Sequence, residues 1–137
     1  MKSVHTLTFD ELYDYDIRKT GITLPVCLIS GEFEIKVDAK FDTGASHSIS
    51  ARVHGENLGF EIESGEPLTV STVRESFRVF GHELTVRFLD LEFYTKIYFA
   101  EDETMRRSVL GRQGWLDRVK IGLIDYEGKL LLSAYGE

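Results

Sequence analysis

Residues 40–46 read Lys-Phe-Asp-Thr-Gly-Ala-Ser, and this stretch decides how the rest of the chain is interpreted. Apolar and charged side chains alternate from Phe33 to Phe41, immediately before Asp42. This two-residue period predicts a half-buried strand that delivers Asp42 at its end. Thr43 and Gly44 then predict a sharp turn, because glycine tolerates positive φ and such a turn leaves backbone N–H groups near the carboxylate.

An aspartate in this position fits two roles, that of a turn residue and that of a catalytic acid. Asp-Thr-Gly is good turn chemistry, so the sequence around Asp42 does not by itself separate the two. A second element, much later in the chain, favours catalysis because the match becomes longer than a turn requires. It consists of Val109, Leu110, Gly111 and Arg112.

Taken in this order, the two elements resemble the retropepsin-like aspartic proteases. A subunit of that family carries one Asp-Thr-Gly-Ala/Ser loop and one later hydrophobic-hydrophobic-Gly-Arg segment. The resemblance covers approximately residues 22–133 and implies an all-β fold, the closed β-barrel of the acid proteases. We therefore divide the chain into an N-terminal extension, residues 1–20, and a retropepsin-like domain, residues 21–137.

Hydrophobic periodicity predicts mostly β structure along the chain. The strand at 22–28 forms a hairpin with the strand that leads to Asp42, and residues 84–88 pair with 91–99. Residues 51–58 predict a turn or a short helix, and 112–119 predict one short C-terminal helix. Residues 121–124 and 130–132 complete the β structure, whereas residues 1–20 show no clean period and could be an arm or a short helix.

A further hairpin is expected around a polar tip at Arg74 and Glu75. The resemblance implies a flap here, a hairpin that closes over a bound peptide and excludes water. The tip contains no glycine, so either the flap is stiffer and more polar or the hairpin is an ordinary surface turn. Val73, Arg74, Glu75 and Phe77 are the expected flap and substrate residues, and Ile49 is a further candidate for a pocket wall.

The resemblance implies a catalytic role for Asp42, within an active-site loop formed by Thr43, Gly44 and Ala45. Aspartic proteases need two carboxylates that share a proton, because two adjacent like charges cannot both ionise at ordinary pH. No other aspartate in the chain is followed by Thr-Gly or Ser-Gly. The second carboxylate must therefore come from another copy, and the expected assembly is a homodimer with Asp42 beside its two-fold axis.

The resemblance also assigns roles to the neighbours of Asp42. The Thr43 hydroxyls would interlock across the two-fold axis, and Gly44 would present its backbone to the substrate. Ala45 cannot donate the side-chain hydrogen bond that a hydroxyl residue would give, so we expect an activity optimum at about pH 5 to 6.

The later element is expected to support the loop from below. Val109, Leu110 and Gly111 would pack beneath it, with the glycine permitting close approach of the backbone. Arg112 would be a structural cation, but Ser46 and the histidine after it occupy the positions where retroviral members carry its acidic partner.

Composition excludes several other function classes. The 137 residues carry a net charge of −7, which argues against a nucleic-acid surface, and the four histidines lack zinc-like spacing. We expect no metal and no cofactor, and the lone Cys27 is expected to be a buried thiol. No apolar run has the length of a membrane span and no signal-peptide core is present, so a soluble cytoplasmic protein without a membrane partner is the expectation.

Three functional hypotheses remain open at this point. The first is a homodimeric aspartic endopeptidase, a hydrolase that cleaves extended peptide or protein substrates. The second is a catalytically weak or inactive dimer of the same fold that binds peptides or serves as a scaffold. In the third, a monomeric β-domain, Asp42 merely caps a turn.

Overall fold

A computed structural model describes residues 2–135, which form ten β-strands and one short α-helix. The strands are β1 (Glu11–Asp14), β2 (Ile22–Ser30), β3 (Phe33–Phe41), β4 (Ile49–Ser50), β5 (Glu66–Ser71), β6 (Ser76–Phe88), β7 (Leu91–Ala100), β8 (Val109–Leu110), β9 (Val119–Ile124) and β10 (Lys129–Ala134). The helix α1 spans Arg52–Asn57, and short 3₁₀ turns occupy Ile62–Ser64 and Asp125–Glu127. The predicted all-β class is confirmed.

The larger sheet contains seven strands in the order β2-β3-β8-β4-β7-β6-β5. Because β2 also pairs with the second half of β6, six of these strands close into a ring, while β5 continues the sheet beyond β6. The predicted hairpins β2–β3 and β6–β7 are both present; β2 and β3 pair antiparallel along their whole length, and β7 pairs antiparallel with residues 79–88 of β6. Ring closure removes the open edges that a flat sheet would expose.

The inward faces of these strands form one main hydrophobic core. Alternation in β2 and β3 sends one side chain in two to this core, as the sequence pattern predicts. Trp115 lies at its centre, fully buried, with its ring 5.9 Å from that of Phe88 and 5.8 Å from that of Phe93. Burial of each such large side chain contributes about 1.5–3 kcal/mol, so the core supplies most of the folding free energy.

A smaller sheet is formed by the two ends of the chain, in the order β1-β10-β9. Strand β10 lies in the middle and pairs antiparallel with both neighbours. The Tyr15 hydroxyl donates a hydrogen bond to Asp125 (2.6 Å), and Lys129 forms an ion pair with Asp14 (3.0 Å). Some of the N-terminal extension therefore belongs to a sheet, and the domain boundary near residue 20 stays a prediction.

The helix predicted over residues 112–119 is wrong, since these residues form a series of turns up to the start of β9. Gly114 adopts φ +98°, outside the helical region, and a side chain there would lie 2.7 Å from the carbonyl oxygen of Lys96. The backbone N–H groups of Leu116 and Asp117 donate to carbonyls five residues earlier in the chain. Because Trp115 must reach the core while Gly114 packs against β7, tertiary packing overrides the helical pattern.

Candidate active site

The turn after β3 holds the Asp42 carboxylate in a defined position. The Asp42 backbone N–H donates to Leu110 O (3.0 Å), which ties the end of β3 to β8. Gly44 N–H donates to Asp42 Oδ1 (2.9 Å), and Ala45 N–H donates to Asp42 O (3.2 Å). Asp42 is half-buried, whereas Thr43 and Gly44 are exposed. The carboxylate is thus presented at a surface with one oxygen held by a backbone N–H.

Strand β8 lies directly beneath this loop. Val109 is opposite Lys40 in parallel register with β3 and opposite Ile49 in antiparallel register with β4. A Cβ atom added to Gly111 would lie 2.6 Å from Ala45 O and would also clash with His47 O. The close approach expected of Gly111 is therefore present, and only a glycine fits beneath the loop.

Ser48 is a supporting residue that the sequence did not single out. Its side chain is fully buried, and its Oγ accepts a hydrogen bond from Gly111 N–H (3.0 Å). Its own backbone N–H donates to Gln113 O (3.0 Å), and its carbonyl accepts from Tyr98 N–H (3.0 Å). Ser48 thus joins the loop, β7 and the end of β8, and only the tertiary arrangement reveals it because serine is common in turns.

Arg112 contributes its backbone to the loop but forms no side-chain ion pair within residues 2–135. Its N–H donates to Ala45 O (2.9 Å), and its side chain is exposed. It lines an open cavity of about 460 Å³ together with Ser46, Gln113, Leu116 and Asp117. The predicted structural role of its charge stays a prediction.

The hairpin β5–β6 stands where the flap was expected. Thr72 and Glu75 close its tip, because Thr72 N–H donates to Glu75 O (2.7 Å) and Glu75 N–H donates to Thr72 Oγ1 (3.2 Å). Val73 and Arg74 are exposed at the tip, with Val73 fully open to solvent. The hairpin is confirmed, and its tip is a hydrogen-bonded turn.

A second, smaller apolar cluster lies at the base of this hairpin. Ile49, Val79 and Tyr98 are buried at its centre, and Phe77 packs against them, so two predicted pocket residues are brought together. The other members, which the sequence did not single out, are Leu68, Val70 and Met105. The cluster joins the hairpin to β4, the strand that follows the Asp42 loop.

A polar cluster fastens β4 to the segment before β8. Ser50 Oγ lies 2.8 Å from His54 Nδ1 and 2.8 Å from Ser108 Oγ. Burial lowers the pKa of His54, which favours the neutral ring in this position. The cluster links β4 to the segment before β8, next to the two short strands that support the Asp42 loop.

Within residues 2–135, no three His, Cys, Asp or Glu side chains come close enough to hold a metal ion. No helix in the described region of the chain is long and apolar enough to cross a membrane.

Solved structures share this arrangement of strands. A retropepsin-like aspartic protease from Rickettsia conorii is similar over 94% of this chain and 96% of its own, with a TM-score of 0.63 and 16% identity. The EIAV protease complexed with the inhibitor HBY-793 is similar over 73% of this chain and 88% of its own, with a TM-score of 0.56 and 19% identity.

The chain therefore has the fold of the retropepsin-like aspartic proteases, with Asp42 at the end of β3. No family model matches the sequence. No curated protein matches it either.

Proposed function

We propose that the protein is an aspartic endopeptidase in which Asp42 acts together with Asp42 of a second copy. The observation that carries this proposal is the Asp42 loop itself, held on a retropepsin-like fold by Leu110 O and by the glycine that packs beneath it. A turn-capping aspartate would not require such a support, which holds the loop by backbone contacts while the carboxylate stays half-exposed.

Two Asp42 carboxylates that face each other across a two-fold axis would share one proton. The ionised carboxylate takes a proton from a water molecule, and the resulting hydroxide attacks the peptide carbonyl carbon. The protonated carboxyl donates its proton to the carbonyl oxygen, giving a tetrahedral intermediate. Transfer of a proton to the nitrogen and cleavage of the C–N bond then release an amine and a carboxylic acid. In each copy, Gly44 N–H donates a hydrogen bond to one oxygen of its own Asp42 and helps to hold that carboxyl group in place.

The proposed substrate is an extended peptide held beneath the β5–β6 hairpin. An extended peptide can form backbone hydrogen bonds like those of a strand, while alternate side chains enter pockets. Phe77 and the other partly buried residues that pack on the cluster around Ile49 offer an apolar surface to the peptide. In this proposal Val73, Arg74 and Glu75 close over the peptide from the hairpin tip.

The decisive experiment compares wild type with Asp42→Asn on a library of peptides at about pH 4 to 7, the range set by shifts of a shared carboxylate pair. Asp38→Asn is the matched control, because Asp38 is an exposed carboxylate on β3. We expect wild type and the control to cleave, Asp42→Asn to be inactive, and a statine-type inhibitor to block cleavage. Sedimentation of the active sample should show a dimer. Equal cleavage by Asp42→Asn would exclude this mechanism.

A second candidate function is a dimer that binds peptides without efficient hydrolysis. The hydrogen-bonded tip at Thr72 and Glu75 favours it, since a stiff tip closes less readily. The exposed Arg112, which has no ion pair among the described residues, also favours it, because the loop then lacks one charge-based support. This candidate predicts that wild type binds peptides and releases them intact.

A further inference from the structure

The arginines divide into two groups according to their ion pairs. Four of the nine form an ion pair with a carboxylate, namely Arg18, Arg52, Arg87 and Arg118. The other five have no carboxylate within 4.0 Å in residues 2–135. They are Arg74, Arg78, Arg106, Arg107 and Arg112. All five belong to the β5–β6 hairpin, to the segment between β7 and β8, or to the turn after β8.

Arg106 and Arg107 lie between two anchored points of the segment that joins β7 to β8. On one side, Met105 packs against the apolar cluster at the base of the hairpin. On the other, Ser108 O accepts a hydrogen bond from Lys40 N–H (2.8 Å), two residues before Asp42. Both arginines are exposed. They therefore border the proposed peptide path between its apolar wall and the catalytic loop.

The acidic residues of the same segment do not neutralise this pair. The Asp102 carboxylate accepts hydrogen bonds from Thr104 N–H (2.8 Å) and Thr104 Oγ1 (2.7 Å), and these bonds lower its pKa. Glu101 is held at the β7 end, where its N–H donates to Arg78 O (3.0 Å) and its carbonyl accepts from Arg52 (3.2 Å). The acids thus lie toward β7, while the arginines lie toward β8 and the loop.

Two of the other unpaired arginines have different surroundings. The Arg78 guanidinium lies over the ring of Phe80, 5.2 Å from its centre, on the opposite side of β6 from Phe77. Arg112 lines the cavity that also contains Asp117. Arg106 and Arg107 are therefore the pair that borders the apolar cluster, with the exposed Arg74 above them at the hairpin tip.

We propose that Arg106 and Arg107 select peptide substrates that carry acidic side chains close to the scissile bond. This inference rests on the proposed function, because it assigns the substrate class of the same site. Leu110 is opposite Phe41, the residue before Asp42, in the parallel pairing of β8 with β3. Arg107 is three residues before Leu110, and four residues of fully extended chain span at most about 13 Å. The acidic side chain should accordingly lie within about four residues of the cut. Two-fold symmetry would place a second arginine pair on the other side of the cut.

The expected gain is moderate because both arginines are exposed to water. One exposed ion pair changes binding about 1.4- to 5-fold, so the pair should favour a glutamate over a glutamine peptide by about 3- to 10-fold in kcat/KM. The preference should weaken as salt is added, since exposed charges are screened. An apolar pocket alone would give neither effect.

The test uses matched peptides that differ only by glutamate or glutamine at each position within about four residues of the cut. The double variant Arg106→Gln/Arg107→Gln should lose the preference, so that it cleaves the glutamate and glutamine peptides with equal kcat/KM. The double variant Lys19→Gln/Lys36→Gln removes the same charge from exposed residues outside the segment that joins β7 to β8, and it should keep the preference. Equal loss in both double variants would overturn the inference, as would a wild type without any preference.

Binding to Asp42→Asn separates this inference from the proposed catalysis. Fluorescence anisotropy with the same labelled peptides should show tighter binding of glutamate peptides, and the arginine double variant should abolish the difference. If wild type cleaves nothing while this binding preference is present, the proposed catalysis fails and the substrate class stands. If wild type cleaves peptides without any preference in cleavage or binding, only the substrate class fails.

Discussion

Replacing Gly111 by alanine should distort the Asp42 loop. The added Cβ would lie 2.6 Å from Ala45 O and would clash with His47 O, and both atoms belong to the backbone of the loop. A backbone atom cannot rotate away, so either the loop or β8 must shift. The shift would move Asp42, because its N–H is bonded to Leu110 O, next to the substituted residue.

The magnitude follows from two opposing effects. Overpacking in a well-packed region costs about 1–3 kcal/mol. Replacing glycine by alanine restricts the unfolded chain and thereby raises the free energy of unfolding by about 0.4–1 kcal/mol. We therefore expect a net loss of about 1–2 kcal/mol in the free energy of unfolding, which corresponds to a decrease of about 0.5–1 M in the urea midpoint.

Urea unfolding followed by circular dichroism, at one fixed protein concentration, measures this loss. Gly122→Ala is the control, since its Cβ would meet only side chains, the Phe9 ring at 3.0 Å and Leu131 Cδ1 at 3.6 Å. Side chains can move, so this variant should stay within about 0.5 kcal/mol of wild type. Equal stability of Gly111→Ala and wild type would refute the packing of β8 beneath the loop.

Three further predictions concern single side chains. Ser48→Ala leaves a buried N–H without its acceptor and should lower the free energy of unfolding by about 1–3 kcal/mol, whereas the exposed Ser46→Ala should be neutral in the same urea assay. Burial and the hydrogen bond to Asp125 raise the pKa of Tyr15 to about 12 from 10.0. The unfolded tyrosine then ionises first, and stability should fall as pH rises through this interval. An ultraviolet titration should show one late tyrosine that is absent in Tyr15→Phe, and a uniform titration in wild type would contradict the assignment. The pKa of His54 is below its ordinary 6.5, so the unfolded state binds more protons below that pH and stability should fall on acidification. His54→Asn should reduce this fall between about pH 7.5 and pH 5 in urea midpoints, and an unchanged fall would exclude His54 as its source.

The sequence was sufficient to predict secondary structure where the local hydrophobic pattern and the tertiary packing agree. The alternation from Phe33 to Phe41 predicts β3 correctly because one face of that strand is buried and the other is exposed. The turn before β9 was not predictable in this way. Trp115 and Leu116 suggest a helical face, but Gly114 takes a positive φ and packs against β7. The residues next to Gly114 in the sequence give no sign of that contact.

The residues of the candidate site also divide into those that the sequence predicts and those that it does not. Residues around Asp42 could be predicted because a motif of consecutive residues carries them. Ser48, Met105 and Ser108 could not, since each acts through a partner distant in sequence that only the closed ring of strands brings near. A buried serine and a solvated one look alike in sequence. The acceptor of the Gly111 N–H was therefore invisible until the strands were placed.

The sheet at the chain ends has a consequence for how activity would respond to dilution. Because β10 finds both of its neighbours, β1 and β9, in its own chain, this central strand needs no second copy to complete its hydrogen bonds. The sheet at the chain ends would therefore form within a single protomer. Dilution would separate a dimer into intact protomers, each holding one Asp42, and the specific rate of cleavage would fall while the circular dichroism spectrum stayed the same. The protein concentration, rather than the folding of the protomer, would then determine the specific rate of cleavage.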